Sequence, residues 1–211
     1  MNKLIVVMIL LLPAVVIGQT PDTKTAKTKI GIKAGLNFSN ITKASSINAQ
    51  SRSGFMAGAF IAAPSRGIVG YRSEIIFSKQ GYDYKTGQTS GSVDLNYILL
   101  PQLMCINITK YVQLQAGGQL AFLVGGKIDS APSPSSIPSL QKKMMDYYNK
   151  VDYGAAGGIE VYPFAGLLIG ARYNISLGNL YKSNGGASYP DFIPKVDVKN
   201  NVLQLFVGYK F

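Results

Sequence analysis

The chain has 211 residues, of which 47% are hydrophobic and 15% are charged, and it contains 23 glycines. This length favours a single domain, and the composition argues against a disordered chain and against a coiled coil. Histidine is absent and Cys105 is the one cysteine, which excludes histidine-dependent triads, histidine-ligated metals, an intrachain disulfide and a cysteine-based zinc site. The formal net charge of +11 is by itself compatible with nucleic acid, anionic lipid or simple solubility.

Residues 1–18 have the three parts of a secretory signal peptide. Lys3 supplies a positive start, Leu4–Ile17 is an apolar stretch broken by Pro13, and short residues precede Gln19, which predicts cleavage after Gly18. A buried N-terminal helix is the alternative. Residues 19–28 are interpreted as a polar N-terminal segment, and export together with the scattered lysines argues against a nucleic-acid partner.

Eight later segments alternate apolar and polar residues with period two, which predicts β-strands with one apolar face. No segment after the signal holds 18 consecutive apolar residues, so a helical membrane protein is excluded after cleavage. The connections are alternately long and short, as in an up-and-down barrel with tight turns at one end and four long loops at the other. The third long loop, at 125–150, is predicted to contain a short helix over Leu140–Tyr148. The strand segments are Lys29–Phe38, Gly54–Ala63, Gly67–Ser78, Ser92–Cys105, Tyr111–Val124, Val151–Tyr162, Ala165–Leu177 and Lys199–Phe211.

Strand length and face polarity predict an all-β, eight-stranded, antiparallel, up-and-down transmembrane barrel over residues 29–211, with both termini in the periplasm. A tilted strand crosses a bilayer in about 9–11 residues, and an eight-stranded barrel has room inside only for side chains. We therefore place the polar face inside, as an ion-pair network that plugs the lumen; a gated conduction path is the alternative. The predicted lumen residues are Lys33, Arg72, Glu74, Asp94, Gln113, Gln115, Glu160, Arg172 and Gln204.

The apolar face is then expected to meet lipid. Cys105 shares the parity of Leu103 and is predicted to be an inert thiol on this face. An exported soluble barrel that binds a small apolar ligand is the alternative. Five tyrosines are predicted to lie on the lipid side, where they are expected to form the aromatic girdles at the membrane interfaces: Tyr71, Tyr97, Tyr153, Tyr173 and Tyr209.

Short motifs follow one another along the chain at Gly31–Asn37, Gly54–Phe60, Glu74–Gly81, Leu95–Pro101, Asp152–Gly158, Gly170–Tyr173, Ser176–Leu180 and Gln204–Phe211. In their order and spacing they resemble the PorT-like, porin-family outer-membrane β-barrel domain of Gram-negative bacteria. The resemblance covers nearly all of residues 29–211 and implies a small barrel of the OmpX and OmpA-transmembrane type, most members of which have no assigned biochemical activity. The last strand, with Leu205, Val207, Tyr209 and Phe211 at alternate positions, resembles the signal recognised by the barrel assembly machinery; an ordinary lipid-facing strand is the alternative.

No motif predicts catalysis, a cofactor or a metal. Known enzyme barrels of this size rely on histidine, and Ser78–Lys79 at a strand end is interpreted as a solvated pair. If the long loops are extracellular, Lys142, Lys143 and Lys150 are expected to contact lipopolysaccharide phosphates; a merely solvated loop is the alternative. We therefore expect a non-enzymatic integral outer-membrane protein serving envelope structure, adhesion or a secretion assembly, with secretion-system or surface proteins as partners. The alternative function is a narrow porin or small-solute channel.

Overall fold

The computed structural model describes residues 27–42, 50–65, 67–86, 89–131, 148–181 and 198–211. The predicted signal peptide, most of the polar segment 19–28 and residues 140–147 of the predicted helix lie outside this set. None of the described residues belongs to a helix that is long and apolar enough to span a membrane.

Eight strands form one closed barrel in which every strand is antiparallel to both of its neighbours. The barrel closes where the last strand pairs with the first, from Gly31 opposite Lys210 to Ile41 opposite Asn200. The predicted fold is therefore confirmed. The strands are β1 (Lys29–Ile41), β2 (Gln50–Ala62), β3 (Val69–Thr86), β4 (Thr89–Asn107), β5 (Val112–Ala131), β6 (Val151–Val161), β7 (Leu167–Ser176) and β8 (Asn200–Lys210).

Between β3 and β4 the sequence pattern predicts a long loop over residues 79–91, and the structure differs from this prediction. The two strands remain paired as far as Thr86 opposite Thr89 and form a long hairpin, beside which β5 stays paired with β4 as far as Ala131 opposite Ser90. The sequence pattern changes in this stretch because both faces become polar, but backbone pairing does not depend on an apolar face. The prediction of four long loops is wrong at this position.

The short connections at 63–68, 108–111 and 162–166 all lie at the same end of the barrel. The last of these contains Gly166, whose φ of +85° lies in the left-handed region that favours glycine. We call this end the short-turn end and the opposite end the long-loop end.

An apolar band surrounds the outside of the barrel. In β1 the exposed apolar positions run from Ile30 to Phe38, and those of β7 continue to Leu177 just beyond the strand. At about 3.3 Å per residue and a tilt of about 40°, such stretches span roughly 20–25 Å along the barrel axis. This height is close to the lipid-facing band of about 25 Å in outer-membrane barrels.

Candidate functional site

Five charged side chains meet inside the barrel and form what we call the lumen charge cluster: Lys33, Arg72, Glu74, Glu160 and Arg172. They come from β1, β3, β6 and β7, and each occupies an inward position of its strand because successive strand residues point to opposite faces. None exposes more than 1% of its side chain to water. The alternation of the sequence therefore brings together residues that are far apart in the chain.

Glu74 forms close ion pairs with two cations and a longer one, of 3.8 Å, with Arg72. The guanidinium of Arg172 donates to both of its oxygens, at 2.6 and 3.0 Å, and Lys33 Nζ lies 2.7 Å from Oε2. Arg172 also donates to the Gln115 side-chain oxygen at 2.5 Å. This carboxylate thus connects β3 to β1 and β7 across the lumen.

Glu160 forms the second half of the cluster. Arg72 Nη1 donates to its two oxygens at 2.7 and 2.8 Å, and the Tyr162 hydroxyl donates to Oε2 at 2.6 Å. Arg72 Nη2 donates to the Gln113 side-chain oxygen at 2.9 Å. The cluster has three cations and two carboxylates, so it carries a net charge of +1.

Two buried phenylalanines complete the surroundings of these charges. Lys33 Nζ lies 4.4 Å from the ring centre of Phe206, and the Arg72 guanidinium lies 4.3 Å from that of Phe60. A Cβ at Gly170 would lie 2.6 Å from the ring of Phe206, so the absence of a side chain there makes room for the ring. Sequence analysis assigned no role to either ring, although Phe206 shares the inward parity of Gln204.

Uncharged polar side chains occupy the next layer toward the long-loop end. Asn37 donates to the Ser78 hydroxyl at 2.8 Å, Gln204 donates to Asn37 at 3.2 Å, and Asn200 donates to Gln80 at 2.6 Å. Ser78 is buried in this layer. The adjacent Lys79 points outward to Asp94 at 3.0 Å, so Ser78 and Lys79 lie on opposite faces and form neither a solvated pair nor a catalytic one.

A tyrosine layer (Tyr82, Tyr148 and Tyr181) fills the lumen near the long-loop end. The Tyr82 hydroxyl forms hydrogen bonds to the hydroxyls of Tyr148, at 2.8 Å, and Tyr181, at 2.5 Å. Burial raises the pKa of Tyr148 and of Tyr181 above the usual range. Tyr148 lies in an isolated β-bridge to Tyr181 rather than in the predicted helix.

The inward face of β4 is apolar, which contradicts three predictions. Tyr97 and Cys105 were predicted to face lipid but are buried inside the barrel, and Asp94 was predicted to line the lumen but points outward. The physical reason is that β4 is apolar on both faces between Tyr97 and Ile106 apart from Gln102, so alternation cannot identify the inner face of this stretch. The pairing with neighbouring strands identifies the inner face instead, because residues directly opposite each other point to the same face. Leu103 lies opposite the inward Arg72, and Cys105 lies opposite the inward Gln115.

Asp94 belongs to a loop-end cluster on the outer surface, together with Arg52, Lys79 and Asp83. Arg52 donates to both acids, with Nε 2.6 Å from Asp94 and Nη1 2.6 Å from Asp83. These side chains lie beyond the apolar band, where water is available to charged groups. Sequence analysis missed Arg52 because the bulge between Ser51 and Met56 interrupts the alternation there.

The remaining predicted residues have simple locations. Gln113 and Gln115 on β5 and Gln204 on β8 are buried in the lumen. Lys150 is exposed at the long-loop end, whereas Lys142 and Lys143 lie outside the described residues. Among the described residues, no three acidic or cysteine side chains are grouped to hold a metal ion. The four side chains of the predicted assembly signal, which lie exposed on the outer wall, are Leu205, Val207, Tyr209 and Phe211.

Comparison with known proteins identifies the class of this barrel. The model of the outer membrane protein β-barrel domain family matches residues 18–182. The chain is similar to the structure of Ail, the attachment invasion locus protein of Yersinia pestis, at 16% identity and a TM-score of 0.50, covering 88% of this chain and 99% of that one. It is also similar to Neisserial surface protein A, at 16% identity and a TM-score of 0.49, covering 86% and 97%. These likenesses concern the fold alone, and no curated protein sequence matches the chain.

Proposed function

The chain belongs to the outer membrane protein β-barrel domain family, and on this basis we propose that it is a non-enzymatic integral membrane protein with a closed lumen. Its interactions are then made by the outer wall, which meets lipid, and by the long loops outside the cell. The roles that fit this arrangement are envelope structure, adhesion or a part in a secretion assembly. Membership of the narrower PorT-like group is part of the same proposal.

The observation that carries the proposal is the burial of the lumen charge cluster. A continuous water path along the axis would give the side chains that line it exposed area. The five charged side chains instead expose 1% or less, and Tyr97 and Leu99 on the opposite wall are 2% and 1% exposed. This burial supports a lumen that is closed to water and solutes.

The orientation follows from the connections. Outer-membrane barrels have short turns on the periplasmic side and longer loops outside, so the short-turn end faces the periplasm. The apolar outer wall favours lipid over water as its surroundings, because exposed apolar surface of this extent is costly in water. Recognition of β8 by the barrel assembly machinery and contact of Lys150 with lipopolysaccharide belong to this proposal.

Planar-bilayer recording of the purified full-length protein tests the closed lumen. We expect no steady conductance from the protein as it is. Replacing the cluster residue Arg172 by alanine is expected to produce measurable conductance steps, whereas the exposed control Lys85→Ala leaves the bilayer silent. Regular conductance steps from the unaltered protein would contradict the proposal and favour the narrow porin.

Membrane fractionation tests the location independently. The proposal expects the protein in the outer-membrane fraction, released only by detergent. Recovery in the aqueous phase without detergent would instead support the soluble, ligand-binding barrel.

A further inference from the structure

The short-turn end of the barrel contains an open, positively charged mouth. One cavity of about 420 Å³ is lined by Lys27, Lys29, Arg72 and Lys210. A second cavity, of about 400 Å³, adjoins it and is lined by Lys110. Both are lined by Asn107, Gln113 and Lys210, so they adjoin, and we call the two together the mouth cavity.

No acidic residue is among the described residues that line either part of the mouth cavity. The nearest carboxylate on the lumen side is Glu160, whose two oxygens already accept from Arg72 and Tyr162. The lumen charge cluster behind it has a net charge of +1, so it adds to the positive potential. Four lysines, Lys27, Lys29, Lys110 and Lys210, thus share a concave space without a counter-charge from the described lining residues, and Arg72 at its floor is already paired with Glu160.

One of the residues that line the cavity has a buried hydrogen-bond donor that the described residues do not use. Arg72 is 1% exposed, and its Nε has no hydrogen-bond partner among the described residues. Asn107 Nδ2 makes one long bond, of 3.3 Å, to the exposed carbonyl of Gly67, and its Oδ1 accepts from Gln113 at 2.7 Å. Lys210 Nζ lies 4.0 Å from the ring centre of Tyr162, which holds this ammonium at the wall of the cavity.

We propose that the mouth cavity binds a phosphoryl anion of the size of a glycerophosphate. Its volume lies within the range of about 300–1,000 Å³ for small-molecule sites. Ammonium groups bind phosphate as point charges and a guanidinium binds it through directed hydrogen bonds. A carboxylate would neutralise only one of the cations, whereas a phosphate monoester carries up to two charges and more acceptor oxygens. The ligand is either a soluble periplasmic phosphate monoester or the headgroup of an anionic phospholipid in the inner leaflet, whose phosphodiester carries a single charge on two non-bridging oxygens.

Titration with glycerol 3-phosphate tests the proposal, with the protein in neutral octyl glucoside micelles. The side-chain amide NMR signals of Asn107 and Gln113 report binding. We expect saturable shifts at constant ionic strength, and binding of glycerate, a carboxylate of similar size, that is at least tenfold weaker. Equal affinities for the two anions, or shifts that follow ionic strength alone, would overturn the phosphoryl site.

A pair of matched double variants locates the site. We expect Lys29→Ala with Lys210→Gln to weaken binding at least tenfold. The control Lys85→Ala with Lys127→Ala removes the same charge at the opposite end and is expected to change binding less than twofold. Heat-dependent mobility in gels checks that each variant is folded. If the double variant does not fold, Lys29→Ala alone, at an exposed position, is expected to weaken binding at least threefold. Equal weakening by the control would overturn the site.

Nanodiscs distinguish the two sources of the phosphoryl group. Shifts at Asn107 and Gln113 in phosphatidylglycerol discs but not in phosphatidylcholine discs, without binding of soluble glycerol 3-phosphate, would identify the lipid headgroup. Binding of the soluble ester in detergent would identify a solute, and absence of both responses would overturn the proposal. The assignment to the periplasm rests on the proposed function. The closed lumen is tested separately by conductance, so either proposal can fail alone.

Discussion

Glu74→Gln is the sharpest test of the lumen charge cluster. Glu74 accepts from Arg172 at 2.6 and 3.0 Å and pairs with Lys33 at 2.7 Å. The substitution keeps the shape of the side chain but removes its charge, so the net charge of the cluster rises from +1 to +2. Removing one partner of a buried ion pair costs about 3–5 kcal/mol, because the remaining charge stays buried without compensation. We expect a loss of that size in the free energy of unfolding.

Equilibrium unfolding in urea or guanidinium, followed by circular dichroism in detergent micelles, measures the loss. The matched control is Asp83→Asn, which breaks an ion pair of 2.6 Å with Arg52 whose side chains are 43% and 29% exposed. Exposed pairs contribute about 0–1 kcal/mol, so the control is expected to lose less than about 1 kcal/mol. The double variant Lys33→Met with Glu74→Gln restores the cluster charge to +1 and is expected to recover part of the loss. The reasoning fails if Glu74→Gln costs no more than the control, or if the double variant is less stable than the single one.

Three further predictions concern the two ends of the barrel. Gly166→Ala forces an alanine to φ +85° and places its Cβ 2.6 Å from the Tyr209 ring and 2.8 Å from the Lys210 carbonyl oxygen. We expect it to cost at least about 1–2 kcal/mol of unfolding free energy. Gly67→Ala, where an added Cβ meets no atom within 4 Å, is the control, and equal effects would contradict this reasoning. Because burial raises the pKa of Tyr148, the unfolded chain loses this proton before the folded one does. The stability is therefore expected to fall above about pH 10, by up to about 1.4 kcal/mol per pH unit per tyrosine. Unfolding titrations at several pH values measure this fall. If the unfolding free energy of a Tyr148→Phe variant falls with pH as steeply as that of the unaltered protein, Tyr148 is not its cause. Finally, joint alanine substitution of Lys142, Lys143 and Lys150 is expected to lower the affinity for lipopolysaccharide-containing liposomes, measured by co-sedimentation. An unchanged affinity would show that these lysines do not contact lipopolysaccharide.

The layered lumen separates the two ends of the protein chemically. The mouth cavity, the lumen charge cluster, the layer of uncharged polar side chains around Asn37 and Gln204, and the tyrosine layer follow one another from the short-turn end to the long-loop end. The charged groups belong mainly to β1, β3, β6 and β7, while β4 contributes apolar side chains on the opposite wall. This asymmetry explains why the cluster can be both dense and buried, since one wall supplies the ions and the other excludes water from them.

The sequence by itself determined the strand number, the closed antiparallel order and the inward position of most charged residues. These features follow from local alternation, because a strand with one polar face and one apolar face has only one orientation in a lipid-embedded barrel. In β1, β6, β7 and β8 this contrast is strong, and residues such as Glu160 and Arg172 could be placed inside from their parity alone.

Only the tertiary structure determined which face of β4 points inward and which charged residues pair with one another. Between Tyr97 and Ile106 both faces of β4 are apolar apart from Gln102, so only the pairing of β4 with β3 and β5 shows that Tyr97 and Cys105 point inward and Asp94 outward. The choice of ion-pair partners, such as Arg72 with Glu160 across 88 residues, and the convergence of lysines on the mouth cavity depend on the shear and closure of the barrel. Alternation specifies which side of a strand a residue occupies, but the height at which two distant strands meet is set by hydrogen-bond registers around the whole ring.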